Sequence, residues 1–294
     1  MNDVLQAALN AMSTGSLYAL AAVGLTLVYG VLRITNFAHG DMLTLGAYIG
    51  FMVNREWNLP IAFAFLLAPI VVATFAVSTE FAIWRPLRRS GAGVLQKLLM
   101  AIGLAMLLRY SIQFHWGGQR SFYAINNTGT IGWLRDLGFT VGYYDALAIV
   151  VGSIVLVGVA LLLSRTLLGT SMRALSDDVE LAESSGVDSD RTIVWTWALA
   201  GGLVGLAGVL AGATINIYPT LGWELLLTIF ACVIVGGVGS AYGALIGSYV
   251  IAFSQEFLVL FIDGRYKTSI GFVIMIIVLL VRPNGILGQR RAVN

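Results

Sequence analysis

Long apolar stretches recur along the chain and alternate with short polar connections. A helix needs about 20 apolar residues to cross about 30 Å of hydrocarbon, because lipid offers no partners to exposed backbone groups. The candidate stretches are residues 4–32, 57–79, 98–116, 146–164, 192–223, 225–255 and 268–281, of which only 98–116 contains basic side chains, Arg109 and His115. The pattern predicts an all-α, polytopic integral membrane helix bundle with about eight or nine transmembrane helices.

Glycines mark a turn within one of these stretches and allow close helix packing in two of them. The stretch 225–255 is long enough to cross more than once, and its glycine cluster at 236–239 predicts a turn between two helices. Small residues about four positions apart let helix backbones approach closely. The glycines with this spacing are Gly201, Gly205, Gly208 and Gly212, and then Gly239, Gly243 and Gly247. We therefore expect close helix packing at both sets.

One apolar segment, residues 42–54, is too short to span. As a helix its 13 residues would measure about 20 Å. A polar stretch from Asn36 to Asp41 precedes it. The pattern predicts a short broken or re-entrant helix near residues 36–54, surrounded by protein or by a water-filled cavity.

Composition supports a membrane protein and excludes several functions. Hydrophobic residues make up 58% of the 294 residues and charged residues 11%, against about 25% charged in soluble domains. The net charge of +2 with scattered basic residues argues against nucleic-acid binding. A single cysteine, Cys232, excludes an intrachain disulfide and a Cys-x-x-Cys zinc site. We expect no metal site.

The chain lacks the sequence of a phosphate-binding loop. Such a loop needs Gly-Lys followed by Ser or Thr. The two lysines, Lys97 and Lys267, follow Gln96 and Tyr266 instead. We therefore expect that the chain is not an enzyme, does not hydrolyse ATP and carries no cofactor.

Basic residues predict the orientation, because they concentrate in short cytoplasmic loops. They cluster in three places: Arg85, Arg88, Arg89 and Lys97; Arg165, Arg173 and Arg191; and Arg282, Arg290 and Arg291. Placing these three regions in the cytoplasm gives an external N-terminus, a cytoplasmic C-terminus and an external loop at 117–144. The first ten residues lack the basic start of a secretory signal, so we expect the first apolar stretch to be retained as a span.

The loop between Ser164 and Thr192 holds six of the 15 acidic residues. Asp177, followed three residues later by Glu180, is typical of a helix start, and Gly186 suits a helix end. We expect a helix of about two turns between 178 and 185, outside the membrane. The charge pattern alone is equally consistent with a solvated connector.

Asn36, His39 and Asp41 are polar residues that are costly in lipid, so they should face protein or water. One interpretation places them along a translocation path, where they would offer polar contacts to a zwitterionic solute. The other is structural: the three side chains cap helix ends and satisfy one another at the cytoplasmic boundary. The sequence leaves both open.

Other charged residues also fall within or near spans. Arg109 is expected to extend toward the outer interface, or to pair with Glu224 or Glu256. Glu80 is expected to pair with Arg85 near the cytoplasmic face.

The loop helix carries a recognisable motif. Glu180, Leu181, Ala182, Glu183 and Gly186 resemble the EAAxxxG loop of ABC importer permeases, with Leu181 in place of the first alanine and without the downstream proline of that pattern. Further motifs of one branch of that group lie at 34–41, 84–88, 236–240 and 282–288. Together they resemble the permeases of the branched-chain amino acid ABC transporter family, and the first of its two paired subunits most, over about residues 15–288.

This resemblance implies a single transmembrane permease domain over residues 1–294, with a coupling loop at 165–191. It implies alternating access driven by partners: a second homologous permease, two cytoplasmic ATPases that bind ATP and Mg, and an external substrate-binding protein. The five motif residues of the loop would form the ATPase-coupling site. The chain would lie in the cytoplasmic (inner) membrane in contact with lipid.

The implied substrates are branched-chain or other hydrophobic or neutral amino acids. Related systems carry urea or short-chain amides, which is one alternative. A stand-alone secondary transporter is another, and it predicts charged pairs at mid-membrane depth. A membrane hydrolase or metalloenzyme is disfavoured, because His39 and His115 are far apart in the sequence.

Overall fold

The computed structural model describes residues 2–125 and 140–288. Within these ranges all regular elements of secondary structure are helices, and the one strand-like contact is a single bridge between Ser121 and Ile217. The all-α class is therefore confirmed. Part of the predicted external loop 117–144, together with Arg290 and Arg291, lies outside the described residues.

Twelve α-helices account for most of the described chain. They are α1 (Asn2–Leu32), α2 (Ala38–Phe51), α3 (Ala64–Thr79), α4 (Arg85–Arg89), α5 (Val94–Trp116), α6 (Tyr143–Arg165), α7 (Leu167–Asp177), α8 (Val179–Ser184), α9 (Ser189–Thr214), α10 (Leu221–Gly236), α11 (Ala241–Val259) and α12 (Lys267–Val281). Short π-helical turns at Met52–Glu56 and Glu80–Trp84 extend α2 and α3, and 3-10 turns at Ile61–Phe63 and Gly264–Tyr266 precede α3 and α12.

In the described part of the chain, seven helical segments are long and apolar enough to cross a membrane. They are Asp3–Leu32, Ile61–Arg89, Val94–Trp116, Tyr143–Arg165, Ser189–Thr214, Ala241–Val259 and Gly264–Val281. Helix α10 is a shorter apolar helix. The predicted polytopic helical membrane protein is thus confirmed. The stretch predicted at 192–223 is shorter as a helix, because extended backbone at Ile215 and a turn before Leu221 separate α9 from α10.

Contacts group the chain into two compact units. The terminal unit comprises Met1–Val23, Ile125–Leu156 and Leu227–Asn294, and the central unit comprises Gly24–Ala124 and Val157–Leu226. The single-domain organisation remains a prediction.

In the central unit, α9 packs on α2 and α3 through its glycines. A Cβ at Gly208 would overlap the Leu43 carbonyl oxygen of α2, and one at Gly205 would lie 2.9 Å from the Ala68 carbonyl oxygen of α3. Gly201 meets Ala73 and Ala76 of α3 in the same way. The close packing expected from this glycine spacing is confirmed, and it leaves α9 buried along most of its length.

In the terminal unit, the glycine cluster forms the predicted turn between α10 and α11. Gly237 and Gly239 have φ values of +109° and +87°, which favour glycine. The C-terminal motif then returns to this turn, where the backbone N–H groups of Ile286 and Leu287 donate to the carbonyls of Val235 and Gly236 at 2.9 Å. The tail therefore satisfies carbonyl groups that the end of α10 leaves free.

The predicted helix break before the short segment is present, but the segment is longer than expected. Helix α1 ends at Leu32, and Arg33 has a φ of +55°. Helix α2 begins at Ala38, and its π turn continues to Glu56. The Asn36 side chain allows this early start, because its Oδ1 atom accepts a hydrogen bond from the Ala38 N–H at 3.1 Å.

The loop after α6 is more helical than the sequence indicated. The predicted helix is α8, but its N-terminal cap is Asp178 rather than Asp177; the Asp178 carboxylate accepts from the Leu181 N–H at 3.0 Å. Gly186 ends it with a φ of +87°, as expected. Helix α7 was not predicted. Its signal was Thr166, whose hydroxyl caps the helix by accepting from the Gly169 N–H.

Candidate functional site

The predicted coupling helix is α8, and it presents most of its side chains to the outside. Glu180, Leu181 and Glu183 are exposed, and Leu181 retains 66% of its surface. Ala182 is only 4% exposed, so it holds the helix against the protein rather than facing outward. An exposed leucine flanked by carboxylates on this short helix offers a small surface, partly apolar and partly acidic, to which another protein could bind.

Bonds within the central unit fix this loop to the helices around it. The Ser189 hydroxyl at the start of α9 donates to the Glu183 carboxylate at 2.5 Å. The Arg33 guanidinium donates to the Ser176 carbonyl of α7 at 2.6 Å. Glu183 is therefore partly engaged within the chain, which leaves Glu180 and Leu181 as the outward residues of the predicted site.

A charged and aromatic cluster joins the end of α3 to α4 and α9. Glu80 is 1% exposed and accepts from both terminal nitrogens of Arg88, one of them at 2.9 Å. The Trp197 indole N–H donates to the same carboxylate at 2.7 Å. Trp84 stacks on Trp197, with ring centroids 5.8 Å apart. We call Glu80, Trp84, Arg88 and Trp197 the Glu80 cluster.

The predicted pairing of Glu80 with Arg85 is wrong. Arg88 lies eight residues after Glu80. This separation is about two helical turns when a π turn intervenes, so the two side chains lie on the same face of the helix. Arg85 instead forms an ion pair with Asp190 in the first turn of α9. The Glu80–Arg88 pair thus lies within the α3–α4 segment, and the Arg85–Asp190 pair connects that segment to α9.

An ion pair is buried among apolar helices in the central unit. The Arg109 Nε and Nη2 atoms donate to the two oxygens of Asp41 at 2.9 and 3.0 Å. The Asp41 side chain is fully buried and that of Arg109 is 14% exposed. The Arg109 guanidinium also lies 4.5 Å from the centre of the Trp223 ring, within range of a cation–π interaction.

The predicted environments of Arg109 are therefore wrong. Glu224 accepts from the hydroxyls of Tyr218 and Thr220 at 2.7 and 3.0 Å, and Glu256 accepts from Lys267. Arg109 does not extend to the interface, because a carboxylate within the bundle neutralises it and supplies two hydrogen-bond acceptors.

Helix geometry places this ion pair well inside the apolar layer. The Trp116 indole N–H donates to Glu56 at 2.7 Å, so the ends of α5 and of the α2 extension lie at one level. Arg109 precedes Trp116 by seven residues and Asp41 precedes Glu56 by 15. The Cα atoms of Arg109 and Asp41 are therefore about 10 and 20 Å from that level, within an apolar layer of about 30 Å.

The other polar residues of the short helix are buried nearby. Asn36 and His39 are 0% and 1% exposed. Four buried side-chain atoms lack a hydrogen-bond partner in the described part of the chain, and two of them, the Asn36 Nδ2 atom and the Tyr48 hydroxyl, belong to this region. Asp41 finds its partner on α5 rather than at a helix end. Whether this group lines a path or has a structural role stays a prediction.

The segment after α5 covers one end of α2, which sequence reasoning missed. The Tyr123 hydroxyl donates to the Ala47 carbonyl at 2.9 Å, and the Ala124 N–H donates to the Asn54 side chain at 2.6 Å. Burial raises the pKa of the Tyr123 phenol well above its ordinary value. The available signal was glycine at positions 50 and 212, because a Cβ at either would overlap the Tyr123 hydroxyl.

Comparison with known proteins shows the family. A family model described as branched-chain amino acid transport system / permease component matches residues 7–279. The high-affinity branched-chain amino acid transport system permease protein BraD of Pseudomonas aeruginosa is 31% identical, over 97% of this chain and 96% of BraD. The permease protein LivH of Salmonella typhimurium is 29% identical over the same shares. A probable LivH of Methanocaldococcus jannaschii is 28% identical, over 93% of this chain and 89% of that protein.

Proposed function

The chain belongs to the family of branched-chain amino acid transport system permease components, and from this membership we propose that it is the membrane-spanning subunit of an ATP-binding-cassette importer. It would pair with a second homologous permease, two cytoplasmic ATPases and an external substrate-binding protein. ATP and Mg would be bound by the ATPases. The chain would cross the cytoplasmic membrane with its N-terminus outside and its C-terminus inside.

The exposed helix α8, anchored through Ala182, is the observation that carries this proposal. Ala182 is buried while Glu180 and Leu181 face outward. A helix fixed on one side and exposed on the other can transmit a push from a docked partner to the bundle through its packing on α7 and α9. ATP binding would close the ATPase dimer, move α8 and shift the bundle between its outward-open and inward-open states.

Branched-chain or other hydrophobic or neutral amino acids are the proposed substrates. The relatives BraD and LivH are named for branched-chain amino acids. Urea or short-chain amides remain an alternative within the same transport class. Affinity of the partner binding protein for leucine, alanine and urea would separate these substrates.

One observation favours a second candidate, a stand-alone secondary transporter. Such proteins place charged pairs at mid-membrane depth, and helix geometry favours such a depth for the Asp41–Arg109 pair. The two candidates differ in their need for ATPases. The importer requires them, whereas a secondary transporter would move solute through this chain alone.

Reconstitution in proteoliposomes tests the proposal. We expect concentrative leucine uptake only when both permeases, the ATPases, the binding protein and ATP are present together. Sustained concentrative uptake by this chain alone would contradict the importer and support the secondary transporter.

Two variants of the loop sharpen the test. Gly186→Pro should abolish ATP-driven uptake, because Gly186 has a φ of +87° and its N–H donates to the Glu183 carbonyl at 3.0 Å, and proline satisfies neither requirement. Glu183→Ala, the matched control, removes one exposed carboxylate and should reduce uptake far less. Equal uptake by the two variants would argue against α8 as the coupling element.

A further inference from the structure

The buried Asp41–Arg109 pair offers one site of each charge at mid-membrane depth. We propose that this pair is where the transported α-amino acid binds within the permease: Arg109 receives the substrate carboxylate, and Asp41 with the Trp223 ring receives its ammonium group. This inference rests on the proposed transport function. It assigns the substrate class as a zwitterion, as opposed to an uncharged amide.

Charge balance supports this assignment. A buried ion pair is costly to separate, because each partner would be left as an uncompensated charge in a low-dielectric surrounding. A free amino acid carries both missing charges. When it inserts, every charge in the site keeps an opposite partner, so a zwitterion opens the pair at lower cost than a neutral or singly charged solute.

The surroundings of the pair fit the rest of such a substrate. The Trp223 ring already lies against a cation, 4.5 Å from the Arg109 guanidinium, and the same ring face attracts an ammonium group. Two turns further along α2 and α5, the rings of Tyr48 and Trp116 lie 5.0 Å apart. They offer an aromatic surface for an apolar side chain, and the unpartnered Tyr48 hydroxyl adds a polar group beside it.

The packing of α5 allows the pair to open. Helix α9 packs closely on both α2 and α3, whereas α5 packs mainly on α2 alone. Several large apolar side chains of α5 face away from the protein, including Leu107 at 63% and Phe114 at 94% exposure. The Asp41–Arg109 pair is therefore a bond between a central helix and a peripheral one, and a small movement of α5 would expose both charges to the solute.

Uptake by charge-neutral variants tests the proposal in the assembled transporter. In cells that carry the full system, with this chain deleted and replaced by tagged variants, we expect Asp41→Asn and Arg109→Gln each to lower the maximal rate of leucine uptake about tenfold or more. The double variant should be no better than the worse single variant. Recovery of the double variant to within about twofold of the wild type would overturn the proposal, because a purely structural pair can be replaced by two neutral side chains.

An exposed ion pair of the same chemistry provides the control. Asp263 and Arg265 pair in the connection before α12, where their side chains are 52% and 87% exposed. The double variant Asp263→Asn/Arg265→Gln should leave uptake and membrane abundance unchanged. Absence of leucine uptake by the wild type would overturn both the proposed transport function and the proposed binding site. If only the binding-site proposal is wrong, the wild type still takes up leucine.

A second measurement needs no variant and avoids the question of folding. The purified permease–ATPase complex, without binding protein, is heated with leucine, with isocaproate or with isoamylamine at equal concentration. The last two share the carbon skeleton of leucine but lack the ammonium or the carboxylate. We expect leucine alone to raise the Tm. Equal shifts with all three solutes, or no shift with leucine, would overturn the proposal.

Discussion

The Glu80 cluster connects the end of α3 to α9, which follows the proposed coupling loop. A single isosteric change probes the contribution of this cluster to stability. Glu80→Gln keeps an oxygen that accepts the Trp197 N–H, so the main loss is the charge that neutralises Arg88. Breaking a fully buried pair costs about 3–5 kcal/mol. The Arg88 side chain is 21% exposed, so water can partly solvate it, and we expect about 2–3 kcal/mol of destabilisation.

A double-mutant cycle isolates this contribution. The wild type, Glu80→Gln, Arg88→Gln and the double variant would be unfolded in mixed micelles, and the free energies of unfolding compared. Because the double variant leaves no unpaired charge, it should be more stable than Glu80→Gln alone, with a coupling energy of about 1–3 kcal/mol. Uptake should fall with Glu80→Gln and partly recover in the double variant.

A coupling energy near zero would refute this reasoning, since it would mean that Arg88 is solvated well enough to stand alone. The exposed pair Asp263–Arg265 serves as a second cycle in the same chain, and we expect little coupling there because both partners are solvated.

Two further predictions concern packing and docking. Gly208→Ala should lower membrane abundance, because its Cβ would overlap the Leu43 carbonyl and overpacking costs about 1–3 kcal/mol. Gly103→Ala on α5 is the control and should leave abundance unchanged, because a Cβ there meets nothing within 4 Å. Western blots of isolated membranes would compare the two variants. Leu181→Ala should leave abundance unchanged, because the side chain is 66% exposed, yet reduce co-purification of the ATPases; full co-purification would argue against Leu181 as a docking contact.

The local features of the fold were predictable because they depend on neighbours in sequence. The glycine cluster at 236–239 and the end of α8 at Gly186 need only backbone conformations that glycine favours. The break before α2 was indicated by the polar stretch from Asn36 to Asp41, although the helix already begins at Ala38 within it. Each of these signals is complete within about ten residues of chain.

The partners of charged residues were not predictable, because they depend on which helices meet. Asp41 and Arg109 are 68 positions apart, and nothing in either stretch favours this pairing over Glu224 or Glu256. The two motifs at 236–240 and 282–288 contact each other through backbone hydrogen bonds, which leave no mark on residue choice except glycine. Sequence reasoning therefore singled out Asp41 and Arg109 as polar residues of interest, but not the bond between them.

The mid-membrane ion pair does not by itself require a stand-alone transporter. A secondary transporter uses such charges to bind a coupling ion, and a permanent internal partner would then compete with that ion. Here Arg109 is held by two hydrogen bonds to Asp41 and by the Trp223 ring, an arrangement that is closed until something separates α5 from α2. An external energy source acting through α8 and α9 could supply that separation, because α9 packs directly on α2. On this basis the same ion pair fits both a secondary transporter and a permease whose site opens only when a partner protein moves it. The requirement for ATP is what distinguishes these two kinds of transporter.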